Sequence, residues 1–143
     1  MTQYNFIRMK YDNKTPNLNS NDYKIQVDIK EDYRKTDINI HLFLCRFKVI
    51  TLFTEHFPNE NRIKIVDIQN SKENRNQGYG TIVMNVLFEI GNILDVKKYN
   101  GWLSSEDLND YNDPEHRDRL IHFYSKFGFN VNIENNRIEK LYE

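Results

Sequence analysis

The sequence predicts a single domain, residues 1–143, of the mixed α/β (α+β) class. Apolar and polar residues alternate along much of the first half, which is typical of half-buried strands. Between residues 81 and 94 the apolar residues recur every four positions, which is typical of an amphipathic helix. A chain of 143 residues fits one compact core, and no internal repeat or interdomain linker interrupts it.

The first half is predicted to be a polar segment followed by a meander of strands. Residues 1–22 form the polar N-terminal segment, with a short strand expected near Tyr4–Met9, and no helix is expected in this half. Tyr23–Ile29 and Ile38–Leu44 alternate cleanly and predict two strands. Phe47–Phe53 is compatible with a third strand or with a continuation of the second.

The next predicted strand, Ile63–Ile68, contains a break in its alternation. Ile63 and Ile65 share one face by simple alternation, whereas Val66 and Ile68 share the other. Either a β-bulge or burial on both faces explains such a break. An irregular strand is therefore expected immediately before the glycine-containing turn that follows.

The second half is predicted to alternate between helix and strand and to end in a hairpin. The expected elements are the helix Thr81–Leu94, the strand Tyr99–Leu103, an acidic loop at 104–115, a second helix, and the paired strands Phe129–Ile133 and Arg137–Leu141. Asp113 is a good N-cap for the second helix, and Pro114 fits its first position. Gly128 is a natural helix stop.

The composition excludes several classes of protein. Twenty basic and 21 acidic residues give a net charge of −1, so broad binding to nucleic acid or to an anionic membrane is not expected. Cys45 is the only cysteine, which excludes an internal disulfide. The apolar run Ile38–Phe53 is interrupted by Arg46 and Lys48 and is too short to span a bilayer. With no signal peptide evident, a soluble cytoplasmic protein without a metal is expected.

The segment 75–80, Arg-Asn-Gln-Gly-Tyr-Gly, is the most informative about function. It holds two of the five glycines and lies between a predicted strand and a predicted helix. Glycine lets the backbone approach a ligand closely, and the free N–H groups of a helix's first turn bind anions. The segment therefore predicts an anion cradle, with a tight turn that binds no ligand as the alternative.

Two common phosphate loops are excluded by the residues after Gly80. A dinucleotide-binding fingerprint requires a third glycine where Val83 stands. A Walker-type loop requires lysine followed by serine or threonine, but Thr81 and Ile82 occupy those positions. The turn therefore belongs to neither class.

Two motifs together resemble the GNAT superfamily of N-acetyltransferases. The pattern Arg-X-X-Gly-X-Gly at Arg75–Gly80 is similar to the acyl-CoA signature of that superfamily, and Phe123–Phe129 is similar to its late Tyr-X-Lys-X-Gly-Phe segment. The resemblance covers residues 63–131, and the first sixty residues carry no motif. It implies a central, mostly antiparallel sheet, a strand, glycine turn and helix at the CoA site, and a C-terminal helix and hairpin. The superfamily usually has two helices between its first two strands, but no helix is evident here before residue 75. The early helices are therefore expected to be reduced or absent, and the alternative is that Ile38–His56 is partly helical.

The resemblance also implies acetyl-CoA as co-substrate and gives roles to the matching residues. The implied CoA-binding residues are Ile68, Gln69, Asn70, Arg75, Asn76, Gln77, Gly78, Tyr79, Gly80 and Thr81. Tyr124 matches the tyrosine that in many members protonates the departing CoA thiolate, although a core aromatic is the alternative. His122 lies on another face of that helix and is expected to point elsewhere, and Arg117 stands where many members have asparagine.

The implied activity is direct acetyl transfer to an amine, either a small molecule or a protein amino group. The residues do not single out a general base, since Asp67 on the key strand lies near Lys64 and Glu73. The five acidic residues at 106–115 are compatible with a solvated loop or with a rim that attracts a cationic amine. A non-catalytic acyl-CoA-binding module and a structural domain are the alternatives, and paired edge strands make a homodimer an expectation.

Overall fold

The structure is a computed structural model that describes residues 2–11, 23–44, 47–70, 78–103 and 115–142. Its helices are α1 (Gln3–Lys10), α2 (Tyr79–Ile93) and α3 (His116–Lys126). Its strands are β1 (Tyr23–Glu31), β2 (Thr36–Leu44), β3 (Phe47–Phe57), β4 (Arg62–Asn70), β5 (Lys98–Trp102), β6 (Asn130–Asn132) and β7 (Arg137–Leu141). One turn of 3-10 helix at Pro58–Glu60 joins β3 to β4.

The strands form one seven-stranded sheet in the order β1-β2-β3-β4-β5-β7-β6. The first four strands make an antiparallel meander. β5 runs parallel to β4, and the C-terminal hairpin places β7 between β5 and β6. The predicted central, mostly antiparallel sheet with a C-terminal helix and hairpin is confirmed.

The core lies between the sheet and α2. Ile38, Ile40 and Leu42 alternate along β2 and are fully buried, as expected for residues that share one face of a strand. Leu52 of β3 is the cross-strand partner of Ile40 and is also fully buried. The apolar stripe of α2 joins the same cluster through Val83, Met84, Leu87 and Ile90. Each such side chain contributes about 1.5–3 kcal/mol on burial, so α2 is firmly held against the sheet.

The segment Tyr4–Met9, predicted as a short strand, is instead the helix α1. Thr2 caps it, since its hydroxyl accepts a hydrogen bond from a backbone N–H of the first turn. Ile7 is fully buried, and Tyr11 donates a 2.6 Å hydrogen bond to Glu89 of α2. The helix is therefore stabilised by contacts with a distant part of the chain, which the local alternation of residues does not show.

The early part of the sheet contains no helix between its first two strands. Asp32–Lys35 join β1 to β2 directly, as the expected reduction of the early helices implies, and α1 precedes β1 instead. Phe47–Phe57 is a separate third strand, and Cys45 and Arg46 lie outside the described residues. No helix within the described ranges is long and apolar enough to cross a membrane.

The C-terminal half follows the predicted order. The described part of the second helix ends at Lys126, and Gly128 has a left-handed φ of 88°, which confirms the predicted glycine stop. The hairpin is also confirmed, with Val131 opposite Ile138. The proposed N-cap Asp113, its neighbour Pro114 and most of the acidic loop lie outside the described residues.

Buried His56 predicts a pH dependence of stability. His56 is 4% exposed and bonds the hydroxyl of Tyr4 through Nδ1 at 2.7 Å, and burial lowers its pKa. The unfolded chain, with a histidine pKa near 6.5, then binds the proton more tightly than the folded chain. Stability contributed by neutral His56 is therefore expected to fall as the pH drops below about 6.5 and to level off below the folded pKa.

Urea unfolding at several values of pH between 5 and 8 tests this expectation. The His56→Gln variant keeps a polar partner for Tyr4 but removes the titrating group, so its stability should vary less over this range than that of the unmodified chain. Equal pH dependence in the two proteins would show that His56 does not couple folding to protonation.

Candidate functional site

The parallel strands β4 and β5 pair over part of their length and then diverge. Their register runs from Arg62 opposite Lys98 to Ile65 opposite Gly101. β4 continues to Asn70, whereas β5 ends just after Gly101. Among the described residues, the β5-facing edge of β4 therefore has no strand partner beyond Ile65, and its peptide groups are available to a ligand.

Gly101 stands at the point where the two strands part, which we call the fork. A Cβ atom at this position would lie 2.7 Å from the carbonyl oxygen of Ile65, closer than real Cβ atoms come to other atoms. Any side chain here would have to push the strands apart. Glycine thus lets the two backbones remain in contact up to the fork itself.

A β-bulge lies next to the fork and confirms the irregular strand expected from the sequence. Thr54 pairs with Ile65, but the preceding residue Phe53 pairs with Asp67, so Val66 is the extra residue. A bulge bends its strand and changes the local twist. Beyond it, Ile68 pairs with Leu52 and returns to the face that carries the core.

A cleft of about 860 Å³ opens beside the end of β4. It is lined by Lys48–Thr51 and Phe53 of β3, Asp67–Asn70 of β4, Gly78–Thr81 at the start of α2, and His116, Arg119, Leu120, His122, Phe123 and Lys126 of α3. The cleft thus combines the open edge of a strand with the N-terminus of a helix. Its volume is in the range of small-molecule and cofactor sites.

The start of α2 is built around Gly78. This residue is the N-cap and has a left-handed φ of 80°, and as a glycine it has no side chain with which to cap the helix. The first hydrogen bond within the helix runs from the N–H of Ile82 to the carbonyl of Gly78. The N–H groups of Tyr79, Gly80 and Thr81 precede that bond, so they have no carbonyl partner within α2 and suit an anion at the cleft.

Gly80, the second glycine of the turn, serves packing rather than backbone conformation. A Cβ atom here would lie 2.9 Å from the ring of Phe123. The absence of a side chain lets α3 approach the first turn of α2 closely. The two glycines of the Gly-X-Gly pattern therefore have different roles, one in the turn and one in the contact between helices.

Lys126 places a positive charge at the N-terminus of α2. Its Nζ atom donates a 2.9 Å hydrogen bond to the hydroxyl of Thr81 and lies 5.3 Å and 5.2 Å from the ring centroids of Phe123 and Phe127. Its charge adds to the positive end of the helix dipole. Lys126 belongs to the Phe123–Phe129 motif, but its position at this helix terminus does not follow from the sequence alone.

Asn70, the last residue of β4, presents a buried polar atom in the cleft. Its side-chain oxygen finds no hydrogen-bond partner among the described residues, although it is shielded from solvent. A buried polar group without a partner costs about 1–3 kcal/mol. An amide N–H or a hydroxyl of a bound ligand would satisfy it, because the side-chain oxygen of asparagine accepts hydrogen bonds.

The predicted site residues fall into three groups. Those that line the cleft are Ile68, Gln69, Asn70, Gly78, Tyr79, Gly80 and Thr81. Arg75, Asn76 and Gln77 lie outside the described residues. Tyr124 is 3% exposed and lies behind the cleft, packed against Phe123 and Phe129 with ring centroids 5.2 Å and 5.6 Å apart. His122, expected to point elsewhere, lines the cleft because α3 presents a broad face to it.

Sequence comparisons find no relative, whereas structural comparison does. No family model and no curated protein matches the chain. The PaiA N-acetyltransferase of Thermoplasma acidophilum, solved in complex with coenzyme A, superposes with a TM-score of 0.58 at 13% identity over 73% of this chain and 60% of that one. An acetyltransferase of the GNAT family from Streptococcus pneumoniae gives 0.55 at 14% identity over 75% and 67%. Nourseothricin acetyltransferase gives 0.59 at 12% identity over 86% of each chain.

These likenesses cover between 73% and 86% of this chain. The chain spans about 60% of the length of the Thermoplasma enzyme, so that protein contains parts with no counterpart here. At identities of 12–14% these likenesses show the fold and not the role of any individual residue. With its mostly antiparallel sheet, its fork and its helix after the glycine turn, the chain has the fold of the GNAT superfamily of N-acetyltransferases.

Proposed function

We propose that this protein is an acetyl-CoA-dependent N-acetyltransferase that transfers the acetyl group directly to an amine. The observation that carries the proposal is the fork between β4 and β5, since the strand edge beyond it lines the same cleft as the N-terminus of α2. An acyl-CoA is a thioester on an arm with two amides, followed by a pyrophosphate. An open strand edge suits the amides, and a helix N-terminus suits the pyrophosphate. The likeness to acetyltransferases, one of them in complex with coenzyme A, supports this assignment.

The start of α2 fits a pyrophosphate in both shape and charge. Gly78 carries no side chain, and nothing lies within 4 Å of where its Cβ would be, so an anion can approach the backbone. The N–H groups of Tyr79–Thr81 and the ammonium group of Lys126 supply donors. We propose that Arg75–Gln77, which precede Gly78 in the chain, complete this cradle.

The end of β4 fits the amide-bearing arm. Ile68–Asn70 line the cleft along the edge that β5 leaves open. The backbone groups of this edge can bond the arm as an added strand would, and Asn70 offers its buried side-chain oxygen. In this arrangement the thioester carbonyl would lie near the bulge, where strand N–H groups can stabilise a developing oxyanion.

Acetyl-CoA would supply the activated acyl group, and the chain's residues would orient it and move protons. We assign Tyr124 as the acid that protonates the departing thiolate. Its ring packs against that of Phe123, which lines the cleft. The acceptor is proposed to be an amine of a small molecule or of a protein. A cytoplasmic location and a homodimer paired through an edge strand complete the proposal.

Titration calorimetry with acetyl-CoA and CoA tests the proposed donor. Both are expected to bind, whereas ATP, which has phosphates but no pantetheine arm, should bind much more weakly. Release of CoA thiol in the presence of spermidine, a lysine-containing peptide and a peptide with a free α-amino group then tests turnover. Binding of acetyl-CoA without turnover would favour the alternative, an acyl-CoA-binding module. If neither acetyl-CoA nor CoA binds, the proposal is wrong.

Replacing Lys126 with methionine is expected to weaken acetyl-CoA binding about tenfold. Methionine keeps an unbranched apolar stem against Phe123 and Phe127 but removes the charge beside the pyrophosphate site. A charge-assisted hydrogen bond contributes about 1.5–3 kcal/mol, and the exposure of Lys126 reduces this through screening. Calorimetry at low and high salt measures the change, which should shrink as the salt concentration rises.

The matched control for this variant is Lys97→Met. Lys97 is an exposed lysine paired with Asp95 and does not line the cleft. Its replacement should leave acetyl-CoA affinity unchanged. An equal loss of affinity in the two variants would point to a general effect of net charge and not to a contact at the start of α2.

A further inference from the structure

Three polar side chains on neighbouring strands form a hydrogen-bonded chain that leads into the cleft. His41 of β2 lies directly opposite Thr51 of β3, and its Nδ1 atom is 2.9 Å from the hydroxyl oxygen of Thr51. Its Nε2 atom is 2.9 Å from a carboxylate oxygen of Asp28 on β1. All three lie on the sheet face opposite to the one that carries Ile40 and Leu42 in the core.

The carboxylate determines which nitrogen of the imidazole carries the proton. An ionised aspartate only accepts hydrogen bonds, so Nε2 of His41 must donate to Asp28. In the neutral ring Nδ1 then has a lone pair and accepts the hydroxyl proton of Thr51. Because the His41 residue is only 8% exposed, its ring is held in this orientation.

Thr51 is the member of this hydrogen-bonded chain that lies at the wall of the cleft. It lines the cleft and is the cross-strand partner of Gln69, which lies in the part of β4 beyond the fork. Phe53 and Asp67, the next pair on the same face, line the cleft as well. The hydroxyl therefore lies on the polar wall, whereas the start of α2 forms the anion-binding wall.

We propose that Thr51, His41 and Asp28 are the proton relay that deprotonates the acceptor amine. This inference rests on the proposed acetyl transfer and supplies its missing general base. The ammonium group of the acceptor gives one proton to Thr51 Oγ1 while Thr51 gives its own proton to His41 Nδ1. The imidazolium formed is stabilised by the Asp28 carboxylate, and the amine lone pair is free to attack the thioester carbon.

The rest of the step balances within the same site. The new C–N bond forms as the C–S bond breaks, and the thiolate takes a proton from the group assigned as acid. The second proton that the nitrogen loses restores that acid. After the products leave, the Nδ1 proton of His41 returns through the Thr51 hydroxyl to solvent in the cleft. This restores the tautomer that carries its proton on Nε2, and Asp28 keeps its hydrogen bond to that nitrogen throughout.

Asp67 is less suited to this role, although it also lines the cleft. Its two carboxylate oxygens accept hydrogen bonds from the backbone N–H of Ile68 at 2.9 Å and from the side chain of Gln69 at 3.3 Å. Both carboxylate oxygens of Asp67 are therefore already engaged by neighbouring residues of its own strand. The imidazole of His41 instead has its Nδ1 lone pair directed at the Thr51 hydroxyl, which lines the cleft, so it can take a proton from the cleft by way of Thr51.

Other charged groups share this face of the sheet or the cleft and contribute to the local field. They are Lys24, Asp28 and Lys30 of β1, Asp37 of β2, Lys48 and Glu55 of β3, Arg62, Lys64 and Asp67 of β4, and His116, Arg119, His122 and Lys126 of α3. A pH profile therefore has to be compared between variants and not interpreted in isolation.

The decisive pair of variants is Thr51→Val and Thr51→Ser. Valine keeps the shape of threonine without its hydroxyl, and we expect it to lower kcat/KM for the amine roughly 100-fold or more at pH 7, the usual size of a general-base contribution. The rate should recover as the pH approaches the pKa of the free amine, because the amine then arrives deprotonated. Serine keeps the hydroxyl and should restore most of the activity.

Asp28→Asn tests the outer end of the relay. An amide can donate to Nε2 and so place the ring proton on Nδ1, where it prevents acceptance of the Thr51 proton. We expect a loss similar to that of Thr51→Val and an altered acidic limb of the pH profile. Thr54→Val is the matched control, since it removes a hydroxyl from the same strand on the opposite face of the sheet, where Thr54 bonds the carbonyl of Ile38 at 2.5 Å.

The measurements separate failure of the relay from failure of the proposed activity. Calorimetry should give the same acetyl-CoA affinity, within about twofold, for the unmodified protein and for Thr51→Val. An unchanged pH profile in Thr51→Val, or equal losses in Thr51→Val and Thr51→Ser, would overturn the relay while leaving acetyl transfer in place. Binding of acetyl-CoA without turnover of any amine would also overturn the relay. If acetyl-CoA does not bind at all, both proposals are wrong.

Discussion

The Gly91→Ala variant is expected to lose about 3 kcal/mol of its free energy of unfolding. Gly91 lies near the end of α2, and a Cβ atom there would be 1.7 Å from the hydroxyl oxygen of Tyr99. Alanine normally stabilises a helix by about 1 kcal/mol relative to glycine. Overpacking of a rigid core costs about 1–3 kcal/mol and sometimes more, so the clash outweighs the gain in helix propensity.

Tyr99 cannot move aside at low cost, because it is almost fully buried among other aromatic rings. Its ring centroid lies 5.2 Å from that of Phe88, 6.5 Å from that of Phe129 and 5.7 Å from that of Tyr142. The clash must therefore shift α2 or β5. Since α2 begins at the cleft, the variant is also expected to weaken acetyl-CoA binding.

Urea unfolding of Gly91→Ala and of Asn92→Ala measures this effect. Asn92 is an exposed neighbour in the same helix, so its replacement should leave stability unchanged or raise it slightly. Adding Tyr99→Phe to Gly91→Ala removes the nearest atom and should recover part of the loss, although the ring carbon would still be 2.8 Å from the new Cβ. An unchanged midpoint in Gly91→Ala would contradict the packing described here.

The Tyr124→Phe variant is expected to release CoA thiol roughly 100-fold more slowly when an amine is the acceptor. The change removes only the hydroxyl, and the ring contacts with Phe123 and Phe129 remain. General acids of this kind contribute about 10²- to 10⁴-fold to a rate. Acetyl-CoA affinity should change little, because the hydroxyl is assigned to the departing thiolate and not to the bound thioester.

Stopped-time thiol assays and calorimetry on the same preparation separate rate from affinity. Tyr33→Phe is the control, since Tyr33 is 83% exposed in the turn between β1 and β2. An unchanged rate in Tyr124→Phe would remove Tyr124 from the mechanism and leave it as a core aromatic. A slower rate with an unchanged circular dichroism spectrum and affinity would support its role as the acid.

Much of the fold could be predicted because its signals are local. The four-residue repeat of α2, the glycine stop at Gly128 and the disturbed alternation at Val66 each show in a few neighbouring residues. The helix α1 could not be predicted in this way. Its stability comes from the burial of Ile7 and from hydrogen bonds to Glu89, a residue 78 positions after Tyr11.

The same distinction between local and long-range signals applies to the candidate site. The glycine turn is contiguous and could be found from the sequence, since Gly78 and Gly80 mark it. The hydrogen-bonded chain of Asp28, His41 and Thr51 could not be found from the sequence. Its members lie 13 and 10 residues apart and meet only through the register of three strands. A one-residue change in that register would turn one of the three to the other face.

The extra residue in β4 gives this strand two frames of alternation. Up to Ile65, the odd-numbered residues face the core, and beyond Val66 the even-numbered residues do. Removing Val66 itself would leave each cross-strand partner in place. With the bulge retained, removing a later residue of β4 would exchange the two faces of the strand from that point on. This strand can therefore lose a residue without disturbing the site only at the bulge. A shorter relative could lack Val66 and keep the same chemistry.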